Sequence, residues 1–318
     1  MTMSKPIIEV QNLTKSYGTF QAVKDISFTV AQGSLFAFLG TNGAGKSTTI
    51  SMLCTLIEKD SGTIKMNGVT LTGAKEQHAI RSSIGVVPQK NPLDNMLTVY
   101  ENIWHRGMLY GLSKAKFEEN YAFVSSYLQL EDIAAKYYGK LSGGQRRRAD
   151  IARALIHKPT ILFLDEPTTG LDPHTRIFVW EAIRRLQQET NMTIFLTTHY
   201  MEEAVVADRI VVIKEGQLIA EGTPDALKDR YALDRVRVTL QNPFMLEKVS
   251  QIIQSEFEQK GDVVTFSVPS TLHALDILND IKSYIQSFEV IKGSMDDVFI
   301  QLNEGGTAND RTATSVTA

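Results

Sequence analysis

Two segments of the chain each place glycines just before an expected helix, where free backbone N–H groups can bind an anion. The first is GTNGAGKSTT (40–49), which follows the apolar run LFAFL. Its glycines allow the backbone to wrap phosphates, Lys46 can reach the β- and γ-phosphates, and the Ser47 hydroxyl can ligate Mg²⁺. The second is KLSGGQRRRADIARAL (140–155). Since one nucleotide needs one such loop, the second requires an explanation.

An acidic pair follows another apolar run, in the segment ILFLDEP (161–167). The strand would deliver Asp165 to the edge of a sheet, where Mg²⁺ would bind, and Glu166 could polarise an attacking water. A helix N-cap or a solvated turn is the alternative interpretation of such a pair. The phosphate-binding pattern upstream favours the catalytic interpretation.

Short β-rich runs that alternate with helical stretches are expected to position these residues. The runs LFAFLG, TILFLD, TIFLTTH and RIVVIKEG predict an α/β fold with a mainly parallel sheet. Asn67-Gly68 predicts the tight turn of a hairpin in SGTIKMNGV. Residues 98–138 have a helical pattern and indicate an inserted helical subdomain, placed at about 91–155.

The pattern changes near Leu227. RVRVTL, MLEKVSQIIQSEF, DVVTFSV, TLHALDILNDIKSYI and FEVIKGSMDDVFIQL predict a strand–helix–strand–helix–strand–helix order. The sequence therefore predicts a nucleotide-binding domain over 1–229 and a small α+β domain over 230–304. The small, polar segment 305–318 is expected to be disordered.

The composition is that of an ordinary globular protein, with 43% hydrophobic and 22% charged residues in 318. A net charge of −3 gives no general attraction to nucleic acid. No apolar run approaches the roughly 18 residues of a membrane span, and MTMSKPIIEV lacks the apolar core of a secretory signal. The single cysteine, Cys54, excludes an internal disulfide and is expected in the core. A cytoplasmic location is expected.

With LSGGQ (141–145) downstream of GTNGAGKST and upstream of ILFLDEP, the chain resembles the nucleotide-binding subunit of an ATP-binding cassette (ABC) transporter, a family in which the LSGGQ pentapeptide is called the signature. The resemblance covers about residues 5–230. It implies a P-loop NTPase cassette, with a mainly parallel sheet, an antiparallel β subdomain and the inserted helical subdomain. It also implies an ATPase that uses ATP and Mg²⁺ to drive transport.

The resemblance also assigns roles to single residues. Tyr17 in KSYG would stack on adenine, and Gln89 in VPQ would touch Mg²⁺ or water and couple to a membrane partner. Asp172 would end the D-loop, and His199 would lie at the γ-phosphate. Each has a structural alternative: an aromatic packed on the core for Tyr17, a loop residue for Gln89, and a polar residue at a strand end for His199.

The expected site residues fall into three sets. The catalytic set is Lys46, Gln89, Glu166 and His199, and the metal set is Ser47, Gln89 and Asp165. The nucleotide set is Tyr17, Gly40, Asn42, Gly43, Ala44, Gly45, Lys46, Ser47, Thr48, Ser142, Gly143, Gly144, Gln145 and Asp172. Thr41 and Ala149 depart from the family's usual residues, but neither would supply a phosphate or metal contact.

In this family two cassettes pack head to tail, which would explain the second phosphate loop. Ser142 and Gly144, at a helix start, would bind the γ-phosphate held by the other cassette. Arg146, Arg147 and Arg148 follow them and are expected to form a charged helix face near phosphate, the alternative being contacts to nucleic acid.

The segments TTHYMEEA, ADRIVVIKEGQLIAEGTP and GSMDDVFIQL are similar to those of drug-resistance and ABC-2-type exporter ATPases, including the daunorubicin-resistance type. This resemblance implies a second cassette, identical or paralogous, a separate transmembrane permease, no nucleic-acid partner, and a position on the cytoplasmic face of the membrane. A soluble cassette ATPase acting on ribosomes, DNA or cofactor assembly is the alternative. An inactive regulatory cassette is disfavoured because Lys46, Glu166 and His199 are all present.

Overall fold

The computed structural model describes residues 5–90, 92–253 and 255–304, and the chain divides into two compact units, Met1–Glu221 and Gly222–Ala318. The strands of the first unit are β1 (Pro6–Tyr17), β2 (Phe20–Ala31), β3 (Leu35–Leu39), β4 (Ser61–Met66), β5 (Val69–Thr70), β6 (Ile84–Val87), β7 (Ile161–Asp165), β8 (Thr193–Thr198), β9 (Arg209–Lys214) and β10 (Gln217–Gly222). Its helices are α1 (Lys46–Leu53), α2 (Ala74–Ser83), α3 (Val99–Leu109), α4 (Lys114–Leu128), α5 (Gly143–Leu155), α6 (Pro173–Thr190) and α7 (Met201–Ala204).

The central sheet of the first unit has the strand order β10-β9-β3-β8-β7-β6. β3 pairs in parallel with β8 and β9, and β7 pairs in parallel with β6 and β8. Every residue of β3 and β8 is buried, as expected for parallel strands covered on both faces. The predicted α/β fold with a mainly parallel sheet is therefore confirmed.

A second, antiparallel sheet has the order β2-β1-β4-β5. The β-rich runs before residue 32 merge into the long strands β1 and β2, which pair with each other. β4 and β5 form the predicted hairpin, and its turn residues Asn67 and Gly68 have φ angles of 49° and 80°. Positive φ at both central positions is the geometry that an Asn-Gly turn supplies.

The core between the two sheets is aromatic. The ring of Phe195 on β8 lies 5.2 Å from those of Phe36 and Phe163, and 5.7 Å from that of Phe38. Cys54 is 2% exposed at the edge of this core, so the prediction of a core cysteine is confirmed, and burial raises the pKa of its thiol.

The segment between β6 and β7 is helical, as predicted, and its helices begin at capping residues. Thr98 and Glu101 form a capping box at the start of α3, and Ser113 caps α4. Ser142 and Gln145 form a second capping box at the start of α5. These side chains satisfy backbone N–H groups that have no partner within the helix.

The second unit contains α8 (Pro224–Tyr231), β11 (Asp234–Leu240), α9 (Leu246–Ile253), β12 (Phe257–Lys260), β13 (Val263–Val268), α10 (Thr271–Ile281), β14 (Ile285–Ile291) and α11 (Met295–Glu304). Its four-stranded sheet has the order β12-β13-β11-β14, and all of its pairings are antiparallel. The inward residues of β11 and β13 pack with those of α9 and α10 around a separate core.

One prediction for this unit was wrong. The helix expected through Phe257 ends at Ile253, and residues 257–260 form the additional strand β12. All four residues of β12 are exposed at the edge of the sheet, so they lack the alternation that marks a half-buried strand. The predicted disordered tail, 305–318, lies outside the described residues.

Among the described residues, no helix is long and apolar enough to cross a bilayer.

The aromatic core gives a stability prediction. Phe195→Ala should lower the free energy of unfolding by about 3–5 kcal/mol, because Phe195 is fully buried against several rings. Trp104 and Trp180, the only tryptophans, lie in the first unit, so urea unfolding followed by their fluorescence reports on that unit. Ile177→Ala, at a side chain that is 56% exposed, is the control and should change stability by less than about 0.5 kcal/mol. Equal losses would contradict the assignment of the core.

Candidate nucleotide site

The site lies at the carboxyl edge of the central sheet, where four segments leave their strands. Residue 40 follows β3, Gln89 comes two residues after β6, Asp165 ends β7 and His199 follows β8. The parallel register pairs Leu39 with Thr198 and Asp165 with Thr197, so these strand ends lie side by side. Ligands of open parallel sheets bind at this edge.

The loop after β3 has no room for side chains at two of its glycines. A Cβ atom on Gly40 would lie 2.4 Å from the carbonyl oxygen of Ile213, and one on Gly45 would lie 2.6 Å from that of Ala22. Gly45 also has a φ of 109°, which L-residues with side chains rarely adopt. The loop is therefore a bare backbone turn that leads into α1.

Lys46 is the first residue of α1 and folds back over this loop. Its Nζ donates to the carbonyl oxygens of Gly40, at 2.8 Å, and Thr41, at 3.1 Å. The side chain is buried, and desolvation lowers the pKa of the amine while Glu166 and Asp165 oppose that shift. The next residue, Ser47, is exposed. The rest of the predicted loop set, Asn42, Gly43, Ala44 and Thr48, occupies the same turn and the start of α1.

Asp165 and Glu166 differ in their surroundings. Asp165 Oδ1 accepts a hydrogen bond from Thr197 Oγ1 at 2.5 Å, and burial raises the pKa of its carboxyl. Glu166 is 8% exposed, has a left-handed φ of 47°, and donates its backbone N–H to the Thr197 carbonyl at 3.0 Å. The helix-cap alternative does not apply, since neither residue caps a helix.

Three of the predicted catalytic residues contact one another through the Glu166 carboxylate. Gln89 Nε2 donates to Oε2 at 2.9 Å, and His199 Nδ1 lies 3.0 Å from Oε1. Lys46 is close enough that the charge of Glu166 affects its pKa. The structure therefore brings Lys46, Gln89, Asp165, Glu166 and His199 into one site.

The remaining predicted residues lie at two other places. Ser142 and Asp172 cap α5 and α6, whose first turns are in contact: a Cβ atom on Gly144 would lie 2.5 Å from Cγ2 of Thr175. Gly143 and Gln145 lie in the first turn of α5. Tyr17 is 52% exposed at the tip of the β1–β2 hairpin, which excludes the core-packing alternative.

The expectation of one charged face for the three arginines was wrong. Arg146 donates to the carbonyl of Gly139, and Arg148 donates to the carbonyl of Gln129 and pairs with Asp132. Arg147 is only 5% exposed and points into the protein, because it bonds to backbone carbonyls near Glu166. The signal that could have shown this is Asp150, an acidic residue three positions later on the same helix.

Oxygen atoms suited to Mg²⁺ lie at the same edge of the sheet. The Ser47 side chain is exposed, Asp165 has a second carboxylate oxygen beside the one bonded to Thr197, and Gln89 uses its amide nitrogen on Glu166 and so keeps its amide oxygen. In the described part of the chain no three His, Cys, Asp or Glu side chains form a metal cluster. This donor set fits an ion that is bound mainly through hydroxyl, carboxylate and phosphate oxygens.

The glycine loop, its lysine and the acidic pair on a mainly parallel sheet define a P-loop nucleotide-binding protein that can hydrolyse its ligand. Two family models match the chain: "ABC transporter" over residues 23–169, and "ATP-binding protein DrrA1-3-like, C-terminal domain" over residues 222–302.

Two curated relatives match nearly the whole chain. The daunorubicin/doxorubicin resistance ATP-binding protein DrrA of Streptomyces peucetius is 37% identical over 96% of this chain and 94% of its own length. The linearmycin resistance ATP-binding protein LnrL of Bacillus subtilis (strain 168) is 35% identical over 96% of this chain and 100% of its own.

Solved structures agree with this result. The cassette cbiO1 of Clostridium perfringens, part of the ABC transporter complex cbiONQ, has a TM-score of 0.66 at 29% identity, covering 70% of this chain and 91% of its own. The dimeric bacterial ABC transporter cassette MJ0796 has a TM-score of 0.63 at 27% identity, and the match covers 68% of this chain and 98% of its own. The chain belongs to the ATP-binding proteins of ABC transporters, and it is an ATPase with a DrrA-like C-terminal domain.

The position of Lys46 gives a prediction for ATP binding. Lys46→Ala should weaken ATP binding roughly tenfold to hundredfold, since hydrogen bonds to charged groups contribute about 1.5–3 kcal/mol. Lys75→Ala, which removes the same charge from an exposed position on α2, is the matched control. Calorimetric titration measures both affinities, and an unchanged affinity in Lys46→Ala would contradict the role of this loop.

Proposed function

We propose that this chain is the ATP-hydrolysing subunit of an ABC-2-type exporter and works as a dimer of cassettes on a separate transmembrane permease. The observation that supports the proposal most strongly is that two drug-resistance proteins match both the cassette and the C-terminal unit, over 96% of this chain. Binding to that permease would hold the chain at the cytoplasmic face of the membrane.

ATP binding relies on the loop 40–48. Backbone N–H groups of this loop surround the phosphates, Lys46 neutralises charge on the β- and γ-phosphates, and exposed Tyr17 stacks on the adenine. Ser47, Asp165 and Gln89 would hold Mg²⁺, which supplies charge neutralisation at the phosphates when bound. A cation beside Asp165 also favours the charged form of a carboxyl whose pKa burial raises.

Hydrolysis requires an oriented water, and Glu166 is the residue placed to orient it. Its carboxylate is buried at the carboxyl edge of the sheet, and a charge interacts more strongly with its neighbours there than in water because the effective dielectric constant is lower. Gln89 and His199 fix the two carboxylate oxygens at 2.9 and 3.0 Å. His199 follows β8 and would contact the γ-phosphate, so it would link the presence of that group to the position of Glu166.

The first turn of α5 completes the site of a second cassette. Ser142 and Gly143 are exposed, and the hydrogen bonds of the Ser142 side chain are local, to Gln145. Among the described residues, no hydrogen bond joins 141–145 to the loop 40–48 of the same chain. The dimeric cassette MJ0796, which matches over 98% of its length, supports a two-cassette arrangement, with Asp172 beside the signature in the interface.

The role of Glu166 gives the test of hydrolysis. Glu166→Gln should retain ATP affinity and lower kcat by roughly 100-fold or more, because it removes a general base but leaves the phosphate loop intact. Glu202→Gln is the control, since its side chain is 80% exposed and the same charge is lost. Steady-state hydrolysis and ATP titration measure both effects. Turnover near that of the unaltered chain would show that Glu166 is not the base.

The exporter assignment has its own test. Co-expression with the product of a neighbouring reading frame that carries about six apolar segments of roughly 20 residues should move the chain to the membrane fraction. Efflux of a fluorescent anthracycline should then depend on ATP and stop in Glu166→Gln. Retention in the soluble fraction beside an inserted permease would contradict the proposal.

A further inference from the structure

Arg147 is buried among the backbone segments that carry the catalytic residues, although it lies on α5, the helix that begins with the signature. It is 5% exposed. Its Nε donates to the Pro167 carbonyl at 2.5 Å, its Nη2 to the Glu166 and Asp165 carbonyls at 3.2 and 3.3 Å, and its Nη1 to the Pro88 carbonyl at 2.9 Å. One guanidinium therefore bonds to the turn of Glu166 and to the residue before Gln89.

This turn needs such support. Glu166 has a left-handed φ of 47°, a conformation that costs about 1–2 kcal/mol in a residue with a side chain. Backbone carbonyls at 165, 166 and 167 point to one side of the turn and are satisfied there by Arg147. On another part of the same turn, the buried Thr168 hydroxyl donates to the buried carboxylate of Glu203 on α7.

A second arginine on α5 has similar burial but different contacts. Arg153 is 7% exposed and, like Arg147, pairs with Asp150, which is fully buried. Its remaining hydrogen bond is to the Val86 carbonyl, within β6. Arg153 therefore resembles Arg147 in charge and burial but makes no hydrogen bond to the turn of Glu166.

We propose that Arg147 is a positioning residue for hydrolysis, which fixes the Glu166 carboxylate relative to the signature helix through the carbonyls of residues 165–167 and, through Pro88, the Gln89 side chain. Both routes end at Glu166, because Gln89 itself donates to that carboxylate. A planar guanidinium with five N–H donors can serve four carbonyls at once, whereas a lysine has three donors on one nitrogen. The inference rests on the proposed role of Glu166.

The test compares Arg147→Met with Arg153→Met in the full chain. Each variant leaves Asp150 with one arginine, so similar losses of stability are expected. Arg147→Met should lower kcat roughly 10- to 100-fold with the KM for ATP within about twofold, since small displacements of a catalytic group have effects of that size. Arg153→Met, compared at the same folded fraction, should leave kcat nearly unchanged. Arg147→Lys should have a kcat between those of Arg147→Met and the unaltered chain.

Two further measurements keep the outcomes distinct. In a Glu166→Gln background, Arg147→Met should cause no further loss of residual hydrolysis, because both changes act on one group. Hydrogen exchange over 164–171 should be faster in Arg147→Met than in Arg153→Met, whatever the activity. Equal kcat in the two arginine variants would overturn the inference, and equal exchange would contradict the support of the turn on which it rests. Full activity in Glu166→Gln alone would instead overturn the proposed function, and the exchange comparison would still decide whether Arg147 holds the turn.

Discussion

The parallel pairing of β7 between β6 and β8 is the constraint on which the site depends. Gln89 and Glu166 are 77 positions apart in sequence, and His199 is another 33 positions on, yet their side chains meet because the three strands end at one edge. The strands are held there by their burial, which is nearly complete in β7 and complete in β8. The buried carboxylate of Glu166 is tolerated because Gln89 and His199 both contact it, since an unpaired buried charge is costly.

At this edge the backbone is strained at Glu166, the residue whose carboxylate the site holds. Glu166 takes a left-handed conformation directly after β7, and its backbone N–H is held by the Thr197 carbonyl of the neighbouring strand. Strained backbone persists where the surrounding structure fixes it, and it is concentrated at functional sites. Here the surrounding elements are the segment of Gln89, the segment of His199 and the helix α5, which contacts the turn through Arg147. These contacts connect Glu166, the residue proposed to orient water, to α5, which is proposed to bind a second cassette.

The sequence predicted the elements whose signals are local. Apolar runs predicted the parallel strands, Asn67-Gly68 predicted its hairpin turn, and the glycine loop with Lys46 predicted the phosphate-binding turn. β12 was missed because its four residues are polar or exposed and carry no core-facing pattern. The burial of Arg147 was missed because three consecutive arginines are typical of a solvated helix face, and its partners are carbonyls of distant segments. Asp150, three positions after Arg147, is the one local signal of that burial, whereas the contacts to the carbonyls depend on the tertiary fold. The roles of Ser142 and Asp172 across a dimer rest on family resemblance and stay predictions.

Complementation between two defective cassettes tests most directly whether each ATP site is shared between two chains. Chains with Lys46→Ala or Ser142→Arg, each also carrying Glu166→Gln and a different affinity tag, are purified as parent dimers and as mixed dimers, and trapped ATP is counted. If the signature acts on the nucleotide of the other chain, a mixed dimer contains one site with both defects and one with neither. It should then trap ATP at that intact site, while both parents trap almost none. Mixed dimers that are shown to form and yet trap no more ATP than the parents would contradict a site shared between two chains.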